Sequence, residues 1–162
     1  MTQGKVVGLI LDLSLRHENG VRVLDVVKRQ LIRLVTETFE DDVDGLYLYH
    51  PDVVEVARTV GEQVGVIGNY ETDGTRLNLL PAMQQCLYVL AVEDDDLRKQ
   101  LFLITDRKPP VWPLEKAARL SRRFGAEVAV TAVCVGCKAD GMEGVEVVEL
   151  GGPDDIFRTL DR

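Results

Sequence analysis

Three apolar runs divide the chain, and each has the length of a strand that is buried on both faces. Lys5 to Leu13 is the first run, and Lys99 to Thr105 and Glu127 to Val135 follow it. Continuous apolar runs of this length are typical of strands inside a parallel sheet. Between them, apolar residues recur at steps of three and four positions, which predicts amphipathic helices. The pattern indicates helices that alternate with buried strands.

The remaining elements follow from the same two periods. The predicted helices are Gly20 to Thr38, Leu77 to Val92, Leu114 to Phe124 and a terminal helix that ends at Leu160. The further strands are Gly45 to His50, Val53 to Val60 and Val145 to Leu150. Because Pro51 and Asp52 form a tight turn, Val53 to Val60 is expected to pair antiparallel with the strand before it. Asn19 is the expected N-cap of the first helix, Gly61 to Ile67 is ambiguous, and KPPVWP is expected to be a loop.

This order of elements, β α β β α β α β β α, predicts an α/β fold. We expect a three-layer, Rossmann-like sandwich with helices on both faces. Its sheet is mostly parallel, with one antiparallel edge strand. Since no linker or repeat interrupts residues 1–162, the whole chain is expected to be one domain.

Composition narrows the range of partners. The formal net charge of −8 argues against nucleic acid and anionic membrane surfaces. No apolar run approaches the roughly 20 residues of a transmembrane helix, and MTQGK leads straight into the first strand, so we expect a cytoplasmic protein.

The three cysteines do not form a disulfide framework. Cys134 and Cys137 have CxxC spacing but lead into a loop, which favours an inward Cys134 and an incidental Cys137.

Acids and hydroxyls cluster where the buried strands end. Asp12 and Ser14 end the first strand, and Asp106 follows the strand from Lys99. Thr75 lies in a DGT loop before the second helix. Because ligand sites of open α/β sheets lie at the carboxyl ends of the strands, these side chains are expected to converge. Carboxylate and hydroxyl oxygens suit Mg²⁺, or Mn²⁺ as its substitute.

These motifs resemble those of a von Willebrand factor type A (VWA) domain. The likeness spans the chain: Asp-x-Ser after the first strand, a β-hairpin, Gly-Thr-x-Leu before a helix, Thr-Asp after a later strand, and the final GG-P-D-D-x-F segment. The resemblance implies a metal-ion-dependent adhesion site (MIDAS). Its ligands would be Asp12, Ser14, Thr75 and Asp106, and the metal would keep an open position for an acidic group of a protein partner.

Two residues depart from the family pattern. Arg16 stands where the motif has a second Ser, and Arg107 stands where Gly usually follows the Asp. Arg16 could pair with both Asp12 and Asp106 and so replace the charge of the metal. Alternatively, it points outward and the metal binds through the other four groups. In a third interpretation, Asp12 and Ser14 only bind N–H groups of the loops.

A basic rim is expected around the same end of the sheet. Its members are Arg16, Arg76, Arg107 and Lys108. They could attract a carboxylate or phosphate of a partner, or remain solvated loop residues. Trp112 is either an interface anchor on this rim or a residue that packs against the following helix.

The function that we predict is a non-enzymatic protein-binding module that uses this face, either with Mg²⁺ as a cofactor or without a metal. The first alternative is a Mg²⁺-dependent, Rossmann-like hydrolase or phosphatase built on Asp12 and Asp106. Ser14 counts against it, because such phosphatases usually have Asp at that position. The second alternative is a metal-free scaffold whose site is closed by Arg16. Gly-x-Ser-x-Gly and glycine-rich nucleotide motifs are missing from the sequence.

Overall fold

The computed structural model describes residues 3–51, 53–123 and 127–161. The strands are β1 (Lys5–Asp12), β2 (His17–Glu18), β3 (Val21–Arg22), β4 (Gly45–His50), β5 (Val53–Ala57), β6 (Arg98–Thr105), β7 (Val128–Val135) and β8 (Val145–Leu150). The helices are α1 (Val23–Thr38), α2 (Val60–Asn69), α3 (Leu79–Ala91), α4 (Val111–Arg123) and α5 (Ile156–Leu160), and a 3₁₀ turn, Pro153–Asp155, precedes α5.

Six strands form one sheet in the order β5-β4-β1-β6-β7-β8. All neighbours are parallel except β4 and β5, which pair antiparallel at the edge. This confirms the predicted fold class. β1 lies inside the sheet, as its apolar run predicts, and Asp12 is level with Thr105 of β6. The register therefore brings the carboxyl ends of β1 and β6 together.

Two apolar cores hold the helices against the sheet. On one face, α1, α2 and α5 pack on side chains such as Leu9 of β1. On the other face, α3 and α4 pack on side chains such as Ile10. Leu9 and Ile10 are both fully buried, and each such side chain contributes about 1.5–3 kcal/mol. Within the described ranges, no helix combines the length and apolarity that crossing a bilayer needs.

The first helix begins later than predicted, and Asn19 is not its N-cap. Arg22 holds the N-cap position, and Val23 is the first helical residue. Asn19 and Gly20 instead form the two-residue turn between β2 and β3, with φ values of 51° and 80°. Both values lie in the left-handed region that a type I′ hairpin turn requires, for which Asn-Gly is a favoured sequence.

Two helices include residues for which the sequence predicted a strand, a loop or no definite structure. The ambiguous segment is α2, whose N-cap Thr59 accepts a hydrogen bond from the Glu62 N–H and donates its hydroxyl to the Glu62 carboxylate. The return strand consequently ends at Ala57. Helix α4 starts at Val111, inside the predicted KPPVWP loop, because Pro113 falls in its first turn, where no N–H is needed. The predicted end of this helix, Phe124, lies outside the described residues.

Candidate functional site

Asp12 and Asp106 lie at the adjacent carboxyl ends of β1 and β6, and their side chains are only 0% and 1% exposed. The Ser14 N–H donates to Asp106 Oδ1 at 3.0 Å, and the Ser14 hydroxyl donates to Asp106 Oδ2. The Leu77 N–H donates to Asp12 Oδ1 at 3.0 Å. The structure thus brings three of the predicted site residues together. Two buried carboxylates need compensating cations, since removing a charge from water costs several kcal/mol.

Arg107 supplies the central positive charge. Its Nη2 lies 3.0 Å from Asp12 Oδ1, and its Nε lies 3.9 Å from Asp106 Oδ1. Its Nη1 donates to the Gly74 carbonyl at 2.9 Å, and its own peptide N–H donates to Thr105 Oγ1 at 3.1 Å. One guanidinium therefore contacts both buried carboxylates and ties the loop before α3 to the sheet.

Arg16 and Arg76 extend this charge towards solvent. Arg16 Nε lies 3.8 Å from Asp106 Oδ2, and its Nη2 lies 3.4 Å from a Glu18 carboxylate oxygen. Arg76 Nε lies 3.6 Å from Asp12 Oδ2. The structure therefore has Arg107, where the sequence suggested Arg16, in contact with both Asp12 and Asp106. These five residues, Asp12, Asp106, Arg16, Arg76 and Arg107, form what we call the arginine–carboxylate cluster.

Gly136 makes room for Arg16. Its φ is +67°, and a Cβ at this position would lie 3.0 Å from Arg16 Nη2. Arg16 Nη2 also donates to the Val135 carbonyl at 3.3 Å. The end of β7 thus fixes the side of the cluster on which Arg16 lies.

Thr75 is not brought to the two carboxylates. It is exposed, and its N–H donates to Asp73 Oδ1 at 2.8 Å. That hydrogen bond, together with one from the Thr75 side chain, lowers the pKa of Asp73. An Asp side chain commonly binds the backbone two residues ahead, and here this local turn takes the Thr75 hydroxyl as well.

Tyr70 anchors the loop that carries Arg76, and sequence reasoning missed it. Its hydroxyl donates to the Leu11 carbonyl of β1 at 3.0 Å, and burial raises the pKa of Tyr70 to about 12. Lys28 of α1 donates to the Tyr70 carbonyl at 2.7 Å. The Thr59-to-Glu62 capping pattern would have predicted the start of α2, and Tyr70 is the residue directly after that helix.

The outer rim carries the remaining predicted contact residues. The ammonium of Lys108 lies 3.2 Å from Asp140, and the backbone carbonyl of Lys108 accepts a hydrogen bond from Arg76. Trp112, in the first turn of α4, is 56% exposed, and the Lys116 ammonium lies 5.0 Å from its ring centroid. Trp112 is therefore outside the apolar core.

A groove of about 620 Å³ adjoins Arg76. Tyr49, Tyr70, Leu77 and Asn78 line it together with Arg76, and Glu71 and Asp73 are also among its lining residues. It lies beside the exposed side of the arginine–carboxylate cluster. This combination of a guanidinium and an adjoining apolar-aromatic groove suits the binding of a charged group together with its neighbour.

The donor set does not fit the divalent cation that the sequence motif implies. A guanidinium already lies within 4 Å of each carboxylate, the Ser14 hydroxyl is a donor to Asp106, and the Thr75 hydroxyl lies elsewhere. The carboxylate oxygens of Asp12 and Asp106 already face guanidiniums, so they do not form the oxygen coordination shell that Mg²⁺ requires.

The CxxC pair lies close to the cluster as two free thiols. Cys134 is fully buried, and the Cys137 thiol lies 3.6 Å from the Thr105 carbonyl. Burial raises the pKa of Cys134 to about 12 and raises that of Cys137 as well. Since thiolates are the nucleophiles and metal ligands, these protonated thiols are suited to packing.

No protein-family model and no curated protein sequence matches this chain. Proximal thread matrix protein 1 from the mussel byssus, in a structure with a zinc-occupied MIDAS motif, superimposes with a TM-score of 0.71 at 16% identity, over 98% of this chain and 46% of its own. The pilus adhesin SpaC from Lactobacillus rhamnosus GG has a TM-score of 0.71 at 11% identity, over 99% of this chain and 30% of the adhesin. BatB from Bacteroides thetaiotaomicron has a TM-score of 0.67 at 16% identity, over 97% of this chain and 95% of BatB.

These structures have the VWA fold, and the chain described here has the same fold. The fold predicted from the order of the motifs is thereby confirmed. The chain spans less than half of the byssus protein and of the adhesin, but nearly all of BatB. At these identities the likeness shows the fold, so the function must be argued from the residues of this chain.

Proposed function

We propose that this chain is a protein-interaction domain of the VWA type. Its partner docks on the face formed by the carboxyl ends of the parallel strands. The observation that carries this proposal is the arginine–carboxylate cluster, which presents fixed guanidiniums at that face. A guanidinium held in one orientation binds a carboxylate through two parallel hydrogen bonds.

The partner contributes an acidic group to Arg76 and Arg16. Their side chains are 41% and 38% exposed, whereas Arg107 is 26% exposed and lies deeper. The residue next to that acidic group enters the adjoining groove, whose lining includes Tyr49, Tyr70 and Leu77. The two exposed guanidiniums thus donate hydrogen bonds to the partner's carboxylate, and the groove selects among acidic segments.

A non-enzymatic role in the cytoplasm is part of the same proposal. The hydrolase hypothesis predicts Mg²⁺-dependent turnover of a phosphomonoester such as p-nitrophenyl phosphate, with loss of turnover in Asp12→Asn. Such turnover by the purified chain would contradict the interaction-domain proposal.

Affinity purification with charge-reversal variants tests the docking face. The wild-type chain, Arg76→Glu and the control Arg119→Glu, which changes an exposed residue of α4, are immobilised and exposed to lysate of the native host. Quantitative mass spectrometry then compares the bound proteins. We expect at least one protein to be retained by the wild type and the Arg119 variant but lost from Arg76→Glu. A partner that Arg76→Glu retains in full would show that docking does not use this face.

A further inference from the structure

Together with the neighbouring Glu18, the arginine–carboxylate cluster has no net charge. Asp12 and Asp106 face Arg107, and Arg16 and Arg76 approach the same carboxylates from outside. Glu18, 3.4 Å from Arg16, adds a third carboxylate against the three guanidiniums. A divalent ion would leave this group with two excess positive charges in a site where the carboxylates are withdrawn from water. Like charges at such short separations repel strongly.

The guanidinium of Arg107 makes contacts of the kind that a bound cation would make. It approaches one oxygen of Asp12 and one of Asp106, and it also binds the carbonyl of Gly74 in the loop before α3. The cation therefore joins three segments of the chain: the end of β1, the end of β6 and the loop 71–78. This guanidinium belongs to the residue that directly follows Asp106 in the chain.

The unpartnered polar atoms of the cluster point to the same conclusion. Among the described residues, buried side-chain atoms without a hydrogen bond include Arg16 Nε, Arg107 Nε and Asp12 Oδ2. Two of these three are N–H donors, and the third lies 3.6 Å from Arg76. A metal ion needs acceptors, so the capacity that remains in this cluster is mainly for an anion or a water molecule.

We infer that Arg107 permanently takes the place of the divalent cation, so that the site is formed, and binds, without metal. The inference bears on the ligand of the proposed docking face, but its test needs no partner. A metal-binding result therefore separates it from the docking proposal, which the lysate experiment decides.

Titration of the wild-type chain with Mn²⁺ is the first test. The protein is stripped with EDTA, and free Mn²⁺ is followed by its electron paramagnetic resonance signal. We expect no stoichiometric loss of the signal and, for Mn²⁺ or Mg²⁺ at about 5 mM, a change in Tm of less than about 1 °C. One bound Mn²⁺ per chain that Asp12→Asn abolishes would overturn the inference.

Restoring the motif residues is the second test. Arg16→Ser with Arg107→Gly removes two guanidiniums and supplies the small residues of the MIDAS pattern, and Arg119→Ser is the matched control. In the double variant we expect Mn²⁺ to raise Tm by about 3 °C or more and Asp12→Asn to cancel the rise. No effect of Mn²⁺ on a folded double variant would overturn the assignment of Arg107 to the cation position. If the double variant does not fold even with Mn²⁺, Arg107→Gly alone takes its place, with the same expected and overturning results.

Discussion

Carboxylates lie beside arginines at both ends of the sheet, in two different arrangements. At the amino end, Glu93 accepts hydrogen bonds from Arg58 at 2.7 Å and from the Tyr47 hydroxyl, and Arg58 also donates to Tyr47 at 3.2 Å. Burial pushes the pKa of Glu93 upward, but these hydrogen bonds outweigh burial and the pKa is lowered. Each polar group of this small cluster has a close partner.

At the carboxyl end, two carboxylates share three arginines at separations of 3.0 to 3.9 Å. Several of the atoms involved, including Asp12 Oδ2 and Arg107 Nε, lack a hydrogen bond. A saturated cluster can only stabilise the fold, whereas an unsaturated one can still bind something. Burial of charge alone therefore does not identify a functional site, whereas the remaining hydrogen-bonding capacity does.

Removing the central guanidinium has the largest expected effect. Arg107→Met leaves two buried carboxylates without their common partner, so we expect the free energy of unfolding to fall by about 3–5 kcal/mol. Urea denaturation followed by circular dichroism measures it, with Arg119→Met as the control. A change in Arg107→Met no larger than in the control would show that the cluster is not held together by Arg107.

The amino-end cluster is expected to matter less, and with a distinctive pH dependence. Glu93→Gln should lower the free energy of unfolding by about 1.5–3 kcal/mol at neutral pH, because it removes charged hydrogen bonds. Since the pKa of Glu93 is lowered on folding, its contribution is present above its ordinary value and is lost as pH falls through the lowered one. The wild type should therefore lose stability more steeply than the variant between pH 7 and 3. Parallel curves would contradict this assignment.

Each end of the sheet also has one tyrosine whose hydroxyl is hydrogen-bonded. Tyr70→Phe leaves the Leu11 carbonyl without its hydroxyl donor and should cost about 1–2 kcal/mol, whereas Tyr47→Phe should cost less, because Arg58 still binds Glu93. Burial raises the pKa of both tyrosines to about 12. Their stabilising effect is therefore complete below pH 10 and lost as pH rises towards 12. At pH 11 each phenol should account for about 1.4 kcal/mol of lost stability, measured by urea titrations of both variants.

The smallest effect is expected at Glu18. Its side chain is exposed enough that the contact with Arg16 adds little stability, so Glu18→Gln should change the free energy of unfolding by less than about 0.5 kcal/mol. The variant frees Arg16, and binding of the partner recovered from lysate should tighten roughly two- to five-fold in biolayer interferometry. Weaker binding would mean that Glu18 itself contacts the partner.

The sequence predicted the sheet well because its signals are local and strong. Long apolar runs indicate buried strands, and these strands dictate that Asp12 and Asp106 meet. The hairpin at Asn19 and helix α2 were not predicted, although Asn-Gly is typical of a hairpin turn and the Thr59–Glu62 pair is typical of a helix start. Hydrophobic periodicity over longer segments assigned these residues to a helix and to a strand instead.

The centre of the site was less predictable because it depends on the directions of long side chains. Arg16 and Arg107 were both visible as departures from the motif, but which one lies between the carboxylates depends on tertiary acceptors. Arg107 is drawn inward by the Gly74 carbonyl, and Arg16 is held aside by Glu18 and the Val135 carbonyl. Thr75 is held away from the two carboxylates because it binds Asp73, the residue before Gly74.

The covalent adjacency of Asp106 and Arg107 has a thermodynamic consequence. A counter-ion that belongs to the chain is present at one equivalent per molecule and cannot dissociate, so no translational entropy is lost when it takes its place. If Arg107 holds the cation position, as we infer, chelators and changes in the concentration of divalent ions leave the proposed binding face unaltered.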